Sequence, residues 1–227
     1  MAEQLPLDLT VKPALGRADF FVSPANAAAV ASIEDPAGWP AGKLALTGPA
    51  GAGKTHLVHV WAALSGARIV AAADLPRADI AGLAAGPVAV EDVPEIAGDA
   101  AAQEALFHLH NLVLAAGHGL LLTGARSPVR WGLDLPDLAS RMAATPTVTL
   151  DPPDDALLGA VMMKLFADRQ LLPAPDLIPY LVRRIERSFA AAGQIVDRLD
   201  RAALSSGRGI NRALAARLLD NGARPGR

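Results

Sequence analysis

Three features of the sequence predict an α/β fold, a five-stranded parallel sheet followed by a small C-terminal helical domain. Residues 48–55 read Gly-Pro-Ala-Gly-Ala-Gly-Lys-Thr directly behind the apolar run Leu44-Ala45-Leu46. Short apolar runs alternate with helical patterns up to residue 150, as expected of parallel strands joined by crossover helices on both faces of a sheet. Beyond Asp151-Pro152-Pro153 the strand signals stop and only helical periodicity remains.

Near the N-terminus stand Gln4-Leu5-Pro6-Leu7-Asp8-Leu9 and a spacer over 10–16 that contains Pro13 and Gly16. Leucines alternating around a proline make an extended peptide that cannot lie inside a sheet, because proline donates no N–H. Three leucines on a terminus call for an apolar groove, on this protein or on a partner, and the spacing leaves both open. Phe20-Phe21-Val22 follows, then Asn26 and a helical stretch over 26–33. An aromatic pair upstream of a phosphate loop suits an adenine base by stacking, and suits simple core packing equally well. Asp35-Pro36-Ala37-Gly38-Trp39-Pro40 breaks the helix ahead of a first strand at 43–46.

Gly48, Pro49, Ala50, Gly51, Ala52, Gly53, Lys54 and Thr55 fit the phosphate-loop pattern G-x-x-x-x-G-K-[ST]. Glycines let backbone N–H groups turn inward, the lysine reaches terminal phosphates, and the threonine hydroxyl can ligate Mg²⁺. A helix over 55–64 aims its positive end at the same anion. ADP or ATP with Mg²⁺ is the expected ligand.

A second strand is expected at 68–72 and a third at 88–92, where Val88-Ala89-Val90 ends in Glu91-Asp92. An apolar strand capped by acids presents carboxylates to a metal ion or an attacking water, so Glu91 and Asp92 are catalytic candidates and Asp92 a metal candidate. Adjacent strand residues point to opposite faces, so at most one of the two can lie over the metal. A helix over 100–116 carries Leu106, Leu109, Leu112 and Val113 on one face. His108 with His110, and His56 with His59, lack the i, i+4 spacing of a metal pair. The fourth strand is expected at 120–123 and the fifth at 145–150, after a short helix bearing Arg141. Helical stretches at 154–170, 176–184, 188–206 and 211–219 complete the chain.

Composition narrows the class. Of 227 residues 52% are hydrophobic but only 4% aromatic, which marks an alanine- and leucine-rich helical protein. A net charge of −2 argues against nucleic-acid binding by charge alone, although 151–227 carry a local +3 and 1–150 a local −5. No run of 18 apolar residues and no signal-peptide pattern occur, and with no cysteine there are neither disulfides nor thiolate metal sites. A soluble protein of the cytoplasm, away from membranes, is expected.

Phosphate loop continuing as Thr55-His56-Leu57-Val58-His59, Phe20-Phe21-Val22 with Asn26, Asp92 at the third strand's end and Leu138-Ala139-Ser140-Arg141-Met142 together resemble the AAA+ domain of the bacterial replication initiator DnaA. The likeness spans about 4–220, without the helix-turn-helix domain that reads origin DNA, and with the N-terminal peptide it resembles the regulatory Hda branch of the DnaA-like AAA+ family. The resemblance implies an AAA+ P-loop NTPase fold. It also implies nucleotide contacts extending to His56, an arginine finger at Arg141 acting on a neighbour's γ-phosphate, and docking of residues 4–9 on the DNA polymerase III sliding clamp. The implied partners are DnaA and the clamp, with no sequence-specific DNA binding and self-association left open.

Three positions depart from the family pattern: Glu91 replaces an Asp, Ala125 falls where a polar sensor is expected after the fourth strand, and Ala190 where the lid offers an arginine. They point to a chain that binds nucleotide better than it hydrolyses it. The expected layout is a clamp peptide and spacer (1–17), a nucleotide-binding domain (18–151) and a helical lid (152–227). Two functions remain: a regulator that stimulates hydrolysis of DnaA-bound ATP in trans, or an autonomous ATPase working as a helicase-loader-like assembly factor.

Overall fold

The structure, a computed structural model, describes residues 21–206 and 209–222, so Gln4-Leu5-Pro6-Leu7-Asp8-Leu9 and Phe20 lie outside the described residues. Five strands form one parallel sheet: β1 (Lys43–Thr47), β2 (Arg68–Ala71), β3 (Val88–Glu91), β4 (Leu120–Gly124) and β5 (Thr147–Thr149). Their spatial order is β2-β3-β4-β1-β5. The phosphate-loop strand therefore sits inside the sheet with β4 on one side and β5 on the other. Ligands of open parallel sheets bind beyond the carboxyl ends of the strands, where the connections diverge.

Period-two alternation sorts the strand side chains into two layers. Ala45, Val88, Val90, Leu120 and Leu122 pack with Leu106, Leu109 and Val113 of α4 (Ala100–Ala115) and with Leu138 and Met142 of α5 (Pro136–Ala143). Leu44, Leu46, Ala89 and Leu121 face the other way, onto α1 (Ala27–Glu34) and α2 (Lys54–Ser65). The second layer is closed at the amino ends of the strands by Trp39 and Trp61, whose ring centroids lie 5.1 Å apart. Trp39 Nε1 donates to the Ser32 carbonyl at 2.7 Å.

Between β2 and β3 lie a 3₁₀ turn, Ala72–Arg77, and the short α3 (Ile80–Leu83), whose N-cap Asp79 accepts from the Gly82 N–H. Sequence periodicity had given that stretch no element, since neither piece is long enough to show a repeat. Strand β5 is shorter than the expected 145–150. Thr145 is held instead by the end of α5, with its N–H donating to the Met142 carbonyl and its hydroxyl to the Arg141 carbonyl.

The helical C-terminal part has its own core. Leu158, Met162 and Phe166 of α6 (Asp155–Asp168) meet Leu177 and Leu181 of α7 (Leu177–Val182), Ile195, Val196 and Leu199 of α8 (Phe189–Ser206), and Leu214 and Ala215 of α9 (Arg212–Gly222). Asp154 caps α6 by accepting from the Leu157 N–H at 2.7 Å. Across the α7–α9 junction the guanidinium groups of Arg184 and Arg212 lie over the Tyr180 ring, 4.0 and 4.7 Å from its centroid. Among the described residues no helix is long and apolar enough to cross a membrane.

Candidate nucleotide site

The loop between β1 and α2 turns through left-handed backbone at Gly51 (φ 73°) and Gly53 (φ 100°), and α2 starts at Lys54. Only glycine takes these angles without strain. The turn leaves the first N–H groups of a 12-residue helix facing the space above the sheet. Lys54 Nζ donates to the Gly48 and Pro49 carbonyls at 2.8 and 3.0 Å, folding back over its own loop. Burial holds its ammonium below the ordinary 10.5, while the carboxylates of Asp92 and then Glu91 pull the other way. The structure thus brings Lys54 and both β3 acids into one electrostatic neighbourhood.

Asp92 leaves the strand in left-handed backbone (φ 53°, ψ 47°), which turns it away from the period-two alternation that would set it opposite Glu91. Its N–H donates to Thr123 Oγ1 at 2.9 Å. Thr123, on β4 and only 1% exposed, is the polar side chain that reaches the β3 end, whereas Ala125 lies exposed beyond the strand. The sequence reading passed over Thr123. The signal was there: Thr123 interrupts a strand otherwise built of leucines and a glycine.

The upstream segment is tied to the same corner. Asn26 is 4% exposed and spends its side chain on residues 21–23, accepting from the Ser23 N–H at 2.8 Å and donating to the Phe21 carbonyl at 2.9 Å. The Ala25 carbonyl accepts from the Asp151 N–H, just after Leu150, whose N–H bonds the Thr47 carbonyl at the loop's start. Asn26 therefore shapes the segment that carries Phe21 and Val22, both of which are exposed. His56 is half-buried on the first turn of α2.

From the other side the helical part closes onto the loop. The Phe189 N–H donates to the Gly51 carbonyl at 2.8 Å. A Cβ at Gly53 would stand 2.9 Å from Phe189 Cε2, and one at Gly51 2.6 Å from Ser188 Cβ. Ala190 stands on this same first turn of α8 and brings no charge, and Arg187 pairs with Asp155 at 2.7 Å.

A polyphosphate fits this geometry, with helix N–H groups and Lys54 for its charge. Among the described residues no cluster of three or more His, Asp or Glu could hold a metal alone. A Mg²⁺ ion would rest on the Thr55 hydroxyl, a β3 carboxylate and the ligand's own oxygens.

No protein-family model matches the chain. Among solved structures it is similar to domain III of the Thermotoga maritima replication initiation protein DnaA, with a TM-score of 0.78 and 18% identity over 94% of this chain and 99% of that one. AMPPCP-bound DnaA from Aquifex aeolicus matches with a TM-score of 0.66 and 18% identity, over 80% of this chain and 63% of that one. The FIGL-1 AAA domain in complex with ADP matches with a TM-score of 0.64 and 12% identity, over 86% and 78%. The chain has a DnaA-like AAA+ fold.

Within this AAA+ frame the residue not brought to the loop is Arg141. Its carbonyl accepts from Lys43 Nζ at 3.0 Å, at the first residue of β1. The phosphate loop begins at the strand's other end, about 16 Å away at about 3.3 Å per residue. The Arg141 side chain is exposed and lies over the Phe107 ring, 5.0 Å from its centroid.

Proposed function

We propose that this protein is a nucleotide-binding regulator of chromosome replication initiation, which docks on the DNA polymerase III sliding clamp and promotes hydrolysis of DnaA-bound ATP in trans. ADP or ATP with Mg²⁺ occupies the loop. Lys54 and the first N–H groups of α2 hold its phosphates, Thr55 and Asp92 serve the metal, and Phe21 with Val22 borders the base. Bound Mg²⁺ supplies charge neutralisation at the phosphates. Glu91 and Asp92 are the candidates to orient water, and a slow hydrolysis by this chain is compatible with them.

One observation carries the trans reading: Arg141 is exposed at the far end of β1 from its own Lys54. An arginine there serves a neighbour's nucleotide, where a guanidinium stabilises charge growing on the transferring phosphoryl group. Residues 4–9 supply the clamp contact, an extended leucine-bearing peptide for an apolar groove. The setting proposed for this activity is the cytoplasm, at replicating DNA.

The test is turnover of ATP by purified DnaA on clamp-loaded DNA. Arg141→Ala is expected to abolish stimulation, an effect of about 10³-fold or more where fingers act in other nucleotidases. Arg141→Lys fails as well, because an ammonium lacks the planar fork. This chain's own nucleotide affinity stays unchanged in both. Full stimulation by Arg141→Ala overturns the reading, and brisk turnover by this protein alone points to an autonomous ATPase instead.

A further inference from the structure

Beneath the Arg141 turn lies a buried polar cluster that the nucleotide site does not use. Lys43 is 7% exposed and His110 3% exposed, and they come from β1 and α4. Lys43 Nζ lies 3.0 Å from the Arg141 carbonyl and 3.2 Å from His110 Nε2. No ion pair joins Lys43 to a carboxylate among the described residues. A buried ammonium is costly unless acceptors surround it. Here it takes the orphan carbonyl in the last turn of α5, the negative end of that helix, and a ring nitrogen.

The bond to Lys43 requires His110 Nε2 to be the acceptor. The proton then sits on Nδ1, which faces Asn111 Oδ1 at 3.3 Å. Burial and the adjacent ammonium keep the ring neutral, with its pKa lowered to about 4. A second donor, Thr145 Oγ1, reaches the same Arg141 carbonyl at 2.9 Å. Two donors on one carbonyl fix the backbone of residue 141, and Phe107, three residues before His110 on α4, receives the guanidinium.

We propose that Lys43, held by His110, is a positioning residue for Arg141: it locks the α5 carbonyl so that the guanidinium leaves the helix along Phe107 toward a neighbouring molecule. The proposal rests on the trans reading for its consequence, though not for its geometry. A finger must meet the γ-phosphate within a narrow tolerance, and a displacement of about 1 Å costs about 10²-fold. A buried lysine braced from β1 provides that stiffness at a helix end that would otherwise fray.

The experiment uses the full chain, as Lys43→Met and as the double variant Lys43→Met with His110→Leu. The double variant removes both polar groups together, and such a swap for apolar residues of similar size is often neutral for stability. The first readout is the Arg141 Nε–Hε resonance, assigned by its loss in Arg141→Lys and displaced by the Phe107 ring current. Both variants are expected to lose that displacement while remaining folded by thermal melt. The second readout is DnaA ATP turnover, where the maximal stimulated rate falls about ten- to a hundredfold with the half-saturating concentration unchanged. An Arg141 resonance still displaced in both variants overturns the positioning role, whatever the turnover. A displaced wild-type resonance that both variants lose, beside full stimulation by Arg141→Ala, leaves the positioning intact and rejects the trans function alone.

Discussion

The Phe189 N–H, at the first residue of α8, donates to the Gly51 carbonyl across 2.8 Å, so the helical part is bonded to the backbone of the phosphate loop itself. With the Phe189 ring against Gly53 and Ser188 against Gly51, the loop is gripped from the α8 side at two glycines. A change in loop conformation is therefore transmitted directly to α8.

Gly51→Ala tests that grip. The new Cβ would adopt φ 73° and stand 2.6 Å from Ser188 Cβ. Left-handed backbone at a non-glycine costs about 1–3 kcal/mol, and the displaced α8 turn adds to it. A lowered thermal midpoint together with weakened ADP binding is expected. An unchanged midpoint would show that α8 does not press on the loop.

Lys54→Ala should weaken ADP and ATP binding by about 1.5–3 kcal/mol, the worth of a charge-assisted hydrogen bond in a partly desolvated site. The folded chain should tolerate the change, since among the described residues Lys54 donates only to the Gly48 and Pro49 carbonyls of its own loop. Calorimetric titration decides, and equal affinity for both forms would mean the loop is not in use.

Gln4→Ala with Leu5→Ala should abolish retention on immobilised sliding clamp and leave the melting temperature within about a degree, because a terminal peptide contributes little to its own protein's core. A fall of many degrees would place the leucines on this molecule instead.

Acid should destabilise the protein through His110. Its folded-state pKa of about 4 lies below the ordinary 6.5, first from burial and then from the Lys43 ammonium. Well above pH 6.5 the ring is neutral in both states and His110 adds no slope. Between 6.5 and 4 the unfolded chain binds a proton that the folded chain refuses, so stability falls as the pH drops, by about 3 kcal/mol at most. Urea midpoints at pH 7 and 4.5 should separate in the wild type, and much less in His110→Gln. Equal separation in both would assign the acid sensitivity elsewhere.

The five strands and the long helices were legible because each carries its own periodicity, and the phosphate loop because its glycines and Lys54-Thr55 have a local reason to be together. What the sequence concealed depends on contacts far along the chain. Lys43 reads as an ordinary charged residue at a strand's start, and only the 67-residue closure to His110 makes it a buried donor. Thr123 looks like a strand terminus until Asp92, turned into left-handed backbone, brings its N–H to the hydroxyl. Asn26 was read as a nucleotide contact, and its amide is engaged by residues 21–23, bonds that run back along the chain to partners that are local while the burial is not.

The Trp39–Trp61 stack has an optical consequence. All three tryptophans are buried, and two of them touch at the amino ends of the strands, away from the loop. Among the described residues the buried Trp61 Nε1 meets no hydrogen-bond acceptor. An indole so shielded emits toward the blue, and excitation migrates readily to its neighbour, so these two report on the integrity of the α1–α2 layer. Trp131, beside Gly124 and Pro94, is the chromophore nearer the end of β3 that bears Glu91 and Asp92. Steady emission from the chain is thus a sum of a distant pair and a local witness, and Trp39→Phe with Trp61→Phe would leave the witness alone.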